Sequence, residues 1–484
     1  MKSSLDLNLK SEALSAVTSK VAMAALGFAG VVIFANELGA EGLGLYYLLL
    51  APSQIIAKVQ TGVGTALKKR ISEAQTQAGE YISIGLLTHV VVTAVTVAVV
   101  VLFGSVLQRY IDAFEQPVLI ALIVASFGLF EVAFKVFEGS GYPARASWMD
   151  TVRSVLTLGL QLVFLFMGYA VYGLVGGYVL AAIVTAVAML VNTGVQPTMP
   201  SRTALGRTWS FSKWSVPNSL LSASYFRMDV IILGILFVST DPVAAYETSL
   251  RLSQVAAYFA ASISAPLVVK MSGLSSIGES VEFDLKNAMS YVGLFALPIF
   301  FGALAIPEAL MVTVFGPTFS GAGPVLIGLA LFQVLNSYRQ PIDALIEATD
   351  RPKLKFRVML VTVVVNVALA FPLGWEFGVI GVVAATVIAE LTRFVLYQTV
   401  AYREFGRPVA TRPMFHQAVA AATMFVAVEL VTREFRIAGW LDLLFVVGFA
   451  GVVYFVALTV LSDHFRDLVS STLSQLVSSE TSDS

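Results

Sequence analysis

Apolar stretches of about 20 residues, the length a helix needs to cross a bilayer core of roughly 30 Å, follow one another through almost the whole chain. Short clusters of Gly, Pro, Asn and charged residues separate them. Cutting the sequence at those clusters predicts fourteen spans, over 13–36, 43–66, 81–107, 117–138, 144–168, 172–195, 210–238, 243–270, 285–314, 321–347, 354–373, 377–400, 414–433 and 440–461. The expected fold class is all-α, a polytopic membrane protein with about fourteen transmembrane helices. The Ser-rich end, SSTLSQLVSSETSDS, has too little apolar content to join them and reads as part of a disordered cytoplasmic tail over 466–484.

Polar residues inside these runs recur with helical spacing. Gln54, Lys58, Thr61 and Thr65 share one face of the second span, and Asn218, Ser222, Tyr225 and Asp229 do the same on the seventh. The eighth carries Glu247, Arg251, Gln254 and Tyr258; the tenth carries Asn336, Arg339, Gln340, Asp343 and Glu347. A charge at the bilayer centre costs about 2.5–3.5 kcal/mol on insertion scales, so each of these groups should face protein or water and have a partner. Arg227 and Asp229, in SYFRMDVIIL, are two residues and therefore about 200° apart on a helix. They need different neighbours, and the expectation is that one faces a cavity while the other holds an adjoining helix. Glu131 with Lys135, Glu247 with Arg251, Arg339 with Asp343, and Glu390 with Arg393 have the spacing of ion pairs along one helix. Glu131 with Lys135, Arg339 with Asp343, and Glu390 with Arg393 read equally well as structural pairs or as cavity groups. Lys20 and Lys58 have no acid at helical spacing and read as ligand-binding cations.

Composition narrows the class. With 57% hydrophobic and 13% charged residues and a mean hydropathy of +0.83, the 484-residue chain is far more apolar than a soluble domain of its length. Cysteine is absent and histidine occurs three times, which leaves little for a metal centre, and no cofactor is called for. A net charge of −1 argues against nucleic acid as a partner. Lys68, Lys69, Arg70, Arg202, Arg207, Lys353, Lys355, Arg403 and Arg412 fall at one set of span ends, and the other set has little beyond Arg109, Arg433 and Arg436. By the positive-inside rule both termini are cytoplasmic, and the first apolar stretch is a retained helix.

The chain also matches itself. GAEGLGLYYLLLAPSQ (39–54) lies over STDPVAAYETSLRLSQ (239–254), FEGSGYPAR (137–145) over IEATDRPKL (346–354), and YGLVGG (172–177) over FGVIGV (377–382). Two parallel copies of six helices, related by an axis along the membrane normal, account for these matches. Walker A, Asp-x-Asp, Gly-x-Ser-x-Gly and His-Glu-x-x-His motifs do not occur.

LGAEGLGLYYLLLA after the first span, SYFRMDVIILGILF on the seventh, YETSLRLSQV opening the eighth, and EATDRPKLKFRVMLVTVVVNVALAFPLGWEFGVIGVVAATVIAEL across the tenth to twelfth carry a family pattern. It resembles the polysaccharide transporter, or O-antigen flippase, family of the multidrug/oligosaccharidyl-lipid/polysaccharide exporter superfamily. The resemblance implies two six-helix lobes in a V shape, 1–200 and 201–405, two additional helices in 406–465, and transport by alternating access rather than enzymatic catalysis. The implied substrate is a lipid-linked oligosaccharide on a polyprenyl or dolichyl phosphate or diphosphate, moved from the cytoplasmic to the external leaflet of the plasma membrane for surface polysaccharide or glycoprotein glycan assembly. Membrane lipids and glycan polymerase or oligosaccharyltransferase machinery are the implied partners. Cations on the first, second and eighth spans of related flippases bind the phosphate, which points to Lys20, Lys58 and Arg251. Gln54, Arg227, Asp229, Glu247, Arg339 and Asp343 complete the candidate site. A cation-coupled multidrug exporter of the same superfamily is the alternative, although the first span lacks that group's acidic residue and proline. A membrane glycosyltransferase or ligase, more distant, would have to use Asp112, Glu115 or Glu308.

Overall fold

A computed structural model describes residues 9–73, 77–110, 117–277, 279–406, 409, 411–463 and 465–466. Among these the secondary structure is helical throughout: α1 (Leu9–Ile71), α2 (Ala78–Tyr110), α3 (Val118–Gly139), α4 (Pro143–Phe166), α5 (Ala170–Asn192), α6 (Arg202–Leu236), α7 (Asp241–Ser253), α8 (Val255–Ser276), α9 (Glu282–Ala305), α10 (Pro307–Phe315), α11 (Gly323–Ala348), α12 (Pro352–Phe405), α13 (Arg412–Glu434) and α14 (Trp440–Leu461). Eleven of the helices are long and apolar enough to cross a membrane. The chain is a multi-pass membrane protein, because helices such as α2 turn Val90, Val91, Val101 and Leu102 outward, each at least 60% exposed.

All fourteen expected spans fall on helices, but the junctions differ. The first and second spans are both in α1, which breaks at Gly39 (φ 67°, ψ −171°), and the eleventh and twelfth are both in α12, which breaks at Gly378 (φ 65°, ψ −145°). Those backbone angles are essentially open to glycine alone. Conversely the eighth span is two helices, α7 and α8, parted at Gln254, and the ninth is α9 and α10, parted at Ile306. Pro307 explains the second break, since proline disfavours helical geometry in the residue before it. Helix α11 is too rich in polar residues to count among the eleven apolar helices, although it has the length to span.

The chain forms two compact units. The first comprises 1–247 with Ala370–Val382, and the second Thr248–Leu369 with 383–484. In the first, α1 packs along α3 and α6, and α4 along α5. Close helix approach depends on small residues, as is usual where lipid supplies no hydrophobic drive between helices. A Cβ on Gly62 would stand 2.6 Å from the Val216 backbone of α6, and one on Gly177 would stand 2.7 Å from the Gln161 backbone of α4. The tip of α12 joins this unit, where Gly374 leaves room for Leu236; a Cβ there would come within 2.4 Å of the leucine. Val63, Leu67, Ile71, Tyr81, Val132 and Val136 form one core of the unit, and Phe130, Phe137, Ala182 and Met189 form another. The second unit is built around α8, α9, α11 and α12, with Met271, Leu285, Met289, Val292, Tyr338, Ile342 and Tyr397 buried between them.

Candidate functional site

In the first unit the polar stripe of α1 meets α3. Gly128 clears the space for the Gln60 side chain, which would otherwise clash with a Cβ at 2.2 Å. Two residues earlier, Lys58 Nζ stands 3.2 Å from Glu131 Oε1 and 5.9 Å from the centre of the Phe127 ring. Phe127 stacks on Phe130 at 6.1 Å, and the Arg153 guanidinium covers Phe130 at 4.7 Å. Asp150, one turn before it on α4, accepts from Arg153 Nε at 2.9 Å and Nη2 at 2.7 Å. Two cations thus bracket a pair of phenyl rings, each with its own carboxylate. Towards the ends of α1 and α3, Glu138 binds both Lys68 at 2.6 Å and Lys135 at 3.0 Å.

Arg227 and Asp229 do take different partners. Arg227 Nη1 donates to Glu247 Oε1 at 2.8 Å, while Asp229 Oδ2 accepts from the Tyr246 hydroxyl at 2.5 Å. Both partners are neighbours on α7, so the two side chains fasten α6 to one helix at two points. Asp229 and Glu247 are 2% and 1% exposed, whereas the Arg227 and Lys58 side chains keep 22% and 29%. The carboxylates are locked into packing; the cations retain a face on which an anion can settle. Gln54 is half-buried one turn before Lys58.

In the second unit a denser cluster ties α11 to α12. Arg339 donates to Glu390 at 2.6 Å and to Asn336 at 2.6 Å, and it bonds Asp343 on its own helix. Tyr397 donates to Asp343 at 2.8 Å. Arg393 lies 3.7 Å from Asp343 and 3.9 Å from Glu390, and Lys355 lies 3.7 Å from Asp343. Arg339, Glu390 and Arg393 are 4%, 0% and 2% exposed, so this is a buried ion-pair network rather than an open surface. Arg251, on α7, is half-buried. The Lys20 side chain, Asp112 and Glu115 lie outside the described residues. Glu308 is engaged by its own loop, accepting from the Gly321 and Gly323 amides at 2.6 and 3.3 Å.

A family model described as polysaccharide biosynthesis protein matches residues 9–272, more than half of the chain. The chain belongs to that family. Its relatives include the Probable low-salt glycan biosynthesis flippase Agl15 of Haloferax volcanii, 28% identical over 377 residues, 77% of this chain and 79% of that one. The Probable flippase AglR of the same organism is 23% identical over 461 residues, covering 93% and 95% of the two chains. Among solved structures, the lipid II flippase MurJ in an inward closed conformation aligns with a TM-score of 0.79, covering 93% of this chain and 99% of that one at 14% identity. An inward-facing multidrug resistance transporter of the MATE family aligns with a TM-score of 0.63, covering 79% and 95% at 17% identity. These likenesses show that the chain shares its fold with the MurJ and MATE structures.

Helical spacing alone did not identify Arg153, Asp150 or the aromatic ladder between Arg153 and Lys58. The DTVR run does place an acid three residues before a base, a usable signal in an apolar span. The partner of Lys58 could not be found in that way, because Glu131 is on another helix; Lys135, at helical spacing from Glu131, binds Glu138 instead.

Proposed function

We propose that this protein is a flippase that carries a lipid-linked oligosaccharide from the cytoplasmic to the external leaflet of the plasma membrane, with both termini cytoplasmic. The observation that carries the proposal is Lys58, a cation in an apolar span that keeps 29% of its side chain open beside its carboxylate partner, in a chain whose relatives include one named as a probable glycan biosynthesis flippase and one named as a probable flippase. A polyprenyl or dolichyl phosphate or diphosphate headgroup is anionic and hydrophilic, so hydrocarbon excludes it for the same reason it excludes charged side chains. Lys58 supplies a compact positive charge against which that phosphate can shed water. Arg227 and Gln54 stand as further contacts, and Lys20 and Arg251 as additional cations on α1 and α7. Asp229 and Glu247 hold α6 to α7, and Arg339 with Asp343 gives the second unit its rigid polar core. The duplicated halves, 1–200 and 201–405, act as the alternating parts, with 406–465 accessory to them. A glycan polymerase or oligosaccharyltransferase consumes the product.

The test is a leaflet-specific assay in proteoliposomes that carry a fluorescent lipid-linked glycan, read by an impermeant reagent. The unaltered protein should move glycan to the reagent-accessible leaflet. Lys58→Gln should abolish that movement while leaving folded protein in the membrane, and Lys58→Arg should retain part of it because charge survives although geometry does not. Normal flipping by Lys58→Gln would remove Lys58 from the site. A cation-coupled multidrug or small-molecule exporter is the second reading, admitted by the fold shared with the multidrug transporter. It would show as dye efflux by a protein that leaves the glycan lipid in place.

A further inference from the structure

Helix α6 has 35 residues, roughly 52 Å at 1.5 Å per residue, and only about 20 of them are needed for the bilayer core. Pro217 divides it. The stretch from 217 to 236 is long enough to cross, and the stretch from 202 to 216 extends beyond. On that leading stretch Ala204, Thr208 and Ser212 form a buried stripe at four-residue spacing. The opposite side is open: Trp209 and Trp214 are 70% and 74% exposed, and Arg202, Arg207 and Lys213 are exposed with them. The segment is held firmly rather than loosely draped. Glu73 binds Arg70 at 2.7 Å and Arg207 at 2.6 Å, and Ser215 Oγ donates to the Gly62 carbonyl at 2.6 Å.

Charge on this face is one-sided. Lys69, at the end of α1, sits 5.1 Å over Phe211, and Lys213 sits 5.8 Å over Trp214. Among the described residues of this stretch, Lys69, Arg70, Arg202, Arg207 and Lys213 are set against Glu73 and Glu80, a surplus of three positive charges. Glu80 is in addition tied to Ser201, accepting from its hydroxyl and its amide. Indole rings concentrate where hydrocarbon gives way to headgroups, and clustered Lys and Arg beside a span attract anionic lipid. Water alone would satisfy the cations but leave two large indoles wet, and a neutral headgroup layer would satisfy the indoles but not the surplus charge. We infer that the outer face of residues 202–216, together with Lys69, is a binding surface for the headgroups of anionic phospholipids. It is separate from the Lys58 site and does not depend on the transported ligand.

The experiment uses the full chain with Trp148, Trp375 and Trp440 changed to Phe, so that Trp209 and Trp214 of its five tryptophans provide the emission. The protein is placed in phosphatidylcholine vesicles in which about a tenth of the lipid is either phosphatidylglycerol or phosphatidylcholine brominated near the headgroup. If the face recruits anionic lipid, the brominated phosphatidylglycerol should quench at least twice as strongly as the brominated phosphatidylcholine at equal mole fraction. Changing Lys69, Arg202 and Lys213 together to Gln should equalise the two, and so should 1 M salt, where the screening length falls to about 3 Å, in the protein that keeps its cations. Arg207 is left alone because it anchors the helix. Equal quenching by the two lipids overturns the inference, as does a preference that survives both the Gln changes and salt. Quenching by aqueous iodide but by neither lipid also overturns it, because the face would then be solvated; so does quenching by none of the three, because protein would then cover it.

Discussion

Replacing Arg339 with Met should destabilise the second unit more than any other single change in its polar core. The side chain is 4% exposed and bonds Glu390, Asn336 and Asp343. Removing one partner of a buried ion pair generally costs about 3–5 kcal/mol, because the remaining charge keeps its desolvation penalty. Here the cost falls mainly on Glu390, which is fully buried and has its other neighbouring cation, Arg393, at the longer distance of 3.9 Å. Asp343 still has the Tyr397 hydroxyl at 2.8 Å and Lys355 and Arg393 at 3.7 Å, so it loses less. The expected loss is therefore about 3 kcal/mol, the lower end of that range. Arg393→Met removes the longer contacts to Asp343 and Glu390 and should cost less. Adding Glu390→Gln to Arg339→Met removes the stranded charge and should recover about 1–2 kcal/mol, within the coupling seen for residues in one network. Unfolding of the four proteins in the same lipid nanodisc, followed by denaturant midpoint, gives the comparison. If Arg339→Met matches the parent, or Arg393→Met is the more damaging, or the double variant is no better than the single, the network does not hold α11 to α12 as described.

On α6, Arg227→Ala strands the buried Glu247 charge and should cost about 3–5 kcal/mol, whereas Asp229→Ala leaves the Tyr246 hydroxyl without its acceptor and should cost about 1–3 kcal/mol. Folded protein recovered after mild heating should follow that order, and Arg227→Ala with Glu247→Gln should exceed Arg227→Ala alone. A reporter inserted at residue 75 should read on the same side of the membrane as one at the amino terminus; an opposite reading would break the positive-inside assignment.

The spans were legible in the sequence because hydrocarbon thickness fixes the length of an apolar run and leaves no alternative secondary structure inside it. Junctions were less so. A polar cluster between two apolar runs looks the same whether it becomes a loop or, as at Gly39 and Gly378, a single glycine joining two helices. Within the candidate site, spacing found Arg339 with Asp343, since one helix carries both, and it found the need for separate partners at Arg227 and Asp229. Which helix supplies a partner depends on packing. Glu131 serves Lys58 from α3, 73 residues away, and Glu390 serves Arg339 from 51 residues away, and no local periodicity encodes either pairing.

The allotment of Ala370–Val382 to the first unit has a consequence for how the protein is made. A ribosome finishes the main body of that unit at Glu247, but 135 further residues must be translated before Val382 supplies its last piece. At about 5–20 residues per second, the nascent first unit waits roughly 7–27 s with the place beside Leu236 unfilled, while most of the second unit is being threaded into the bilayer. The first unit is completed only after much of the second has been made, and a chain that stalls before residue 370 leaves both units incomplete. Quality control acting on such stalled chains would meet an exposed α6 seam, which distinguishes them from the finished protein.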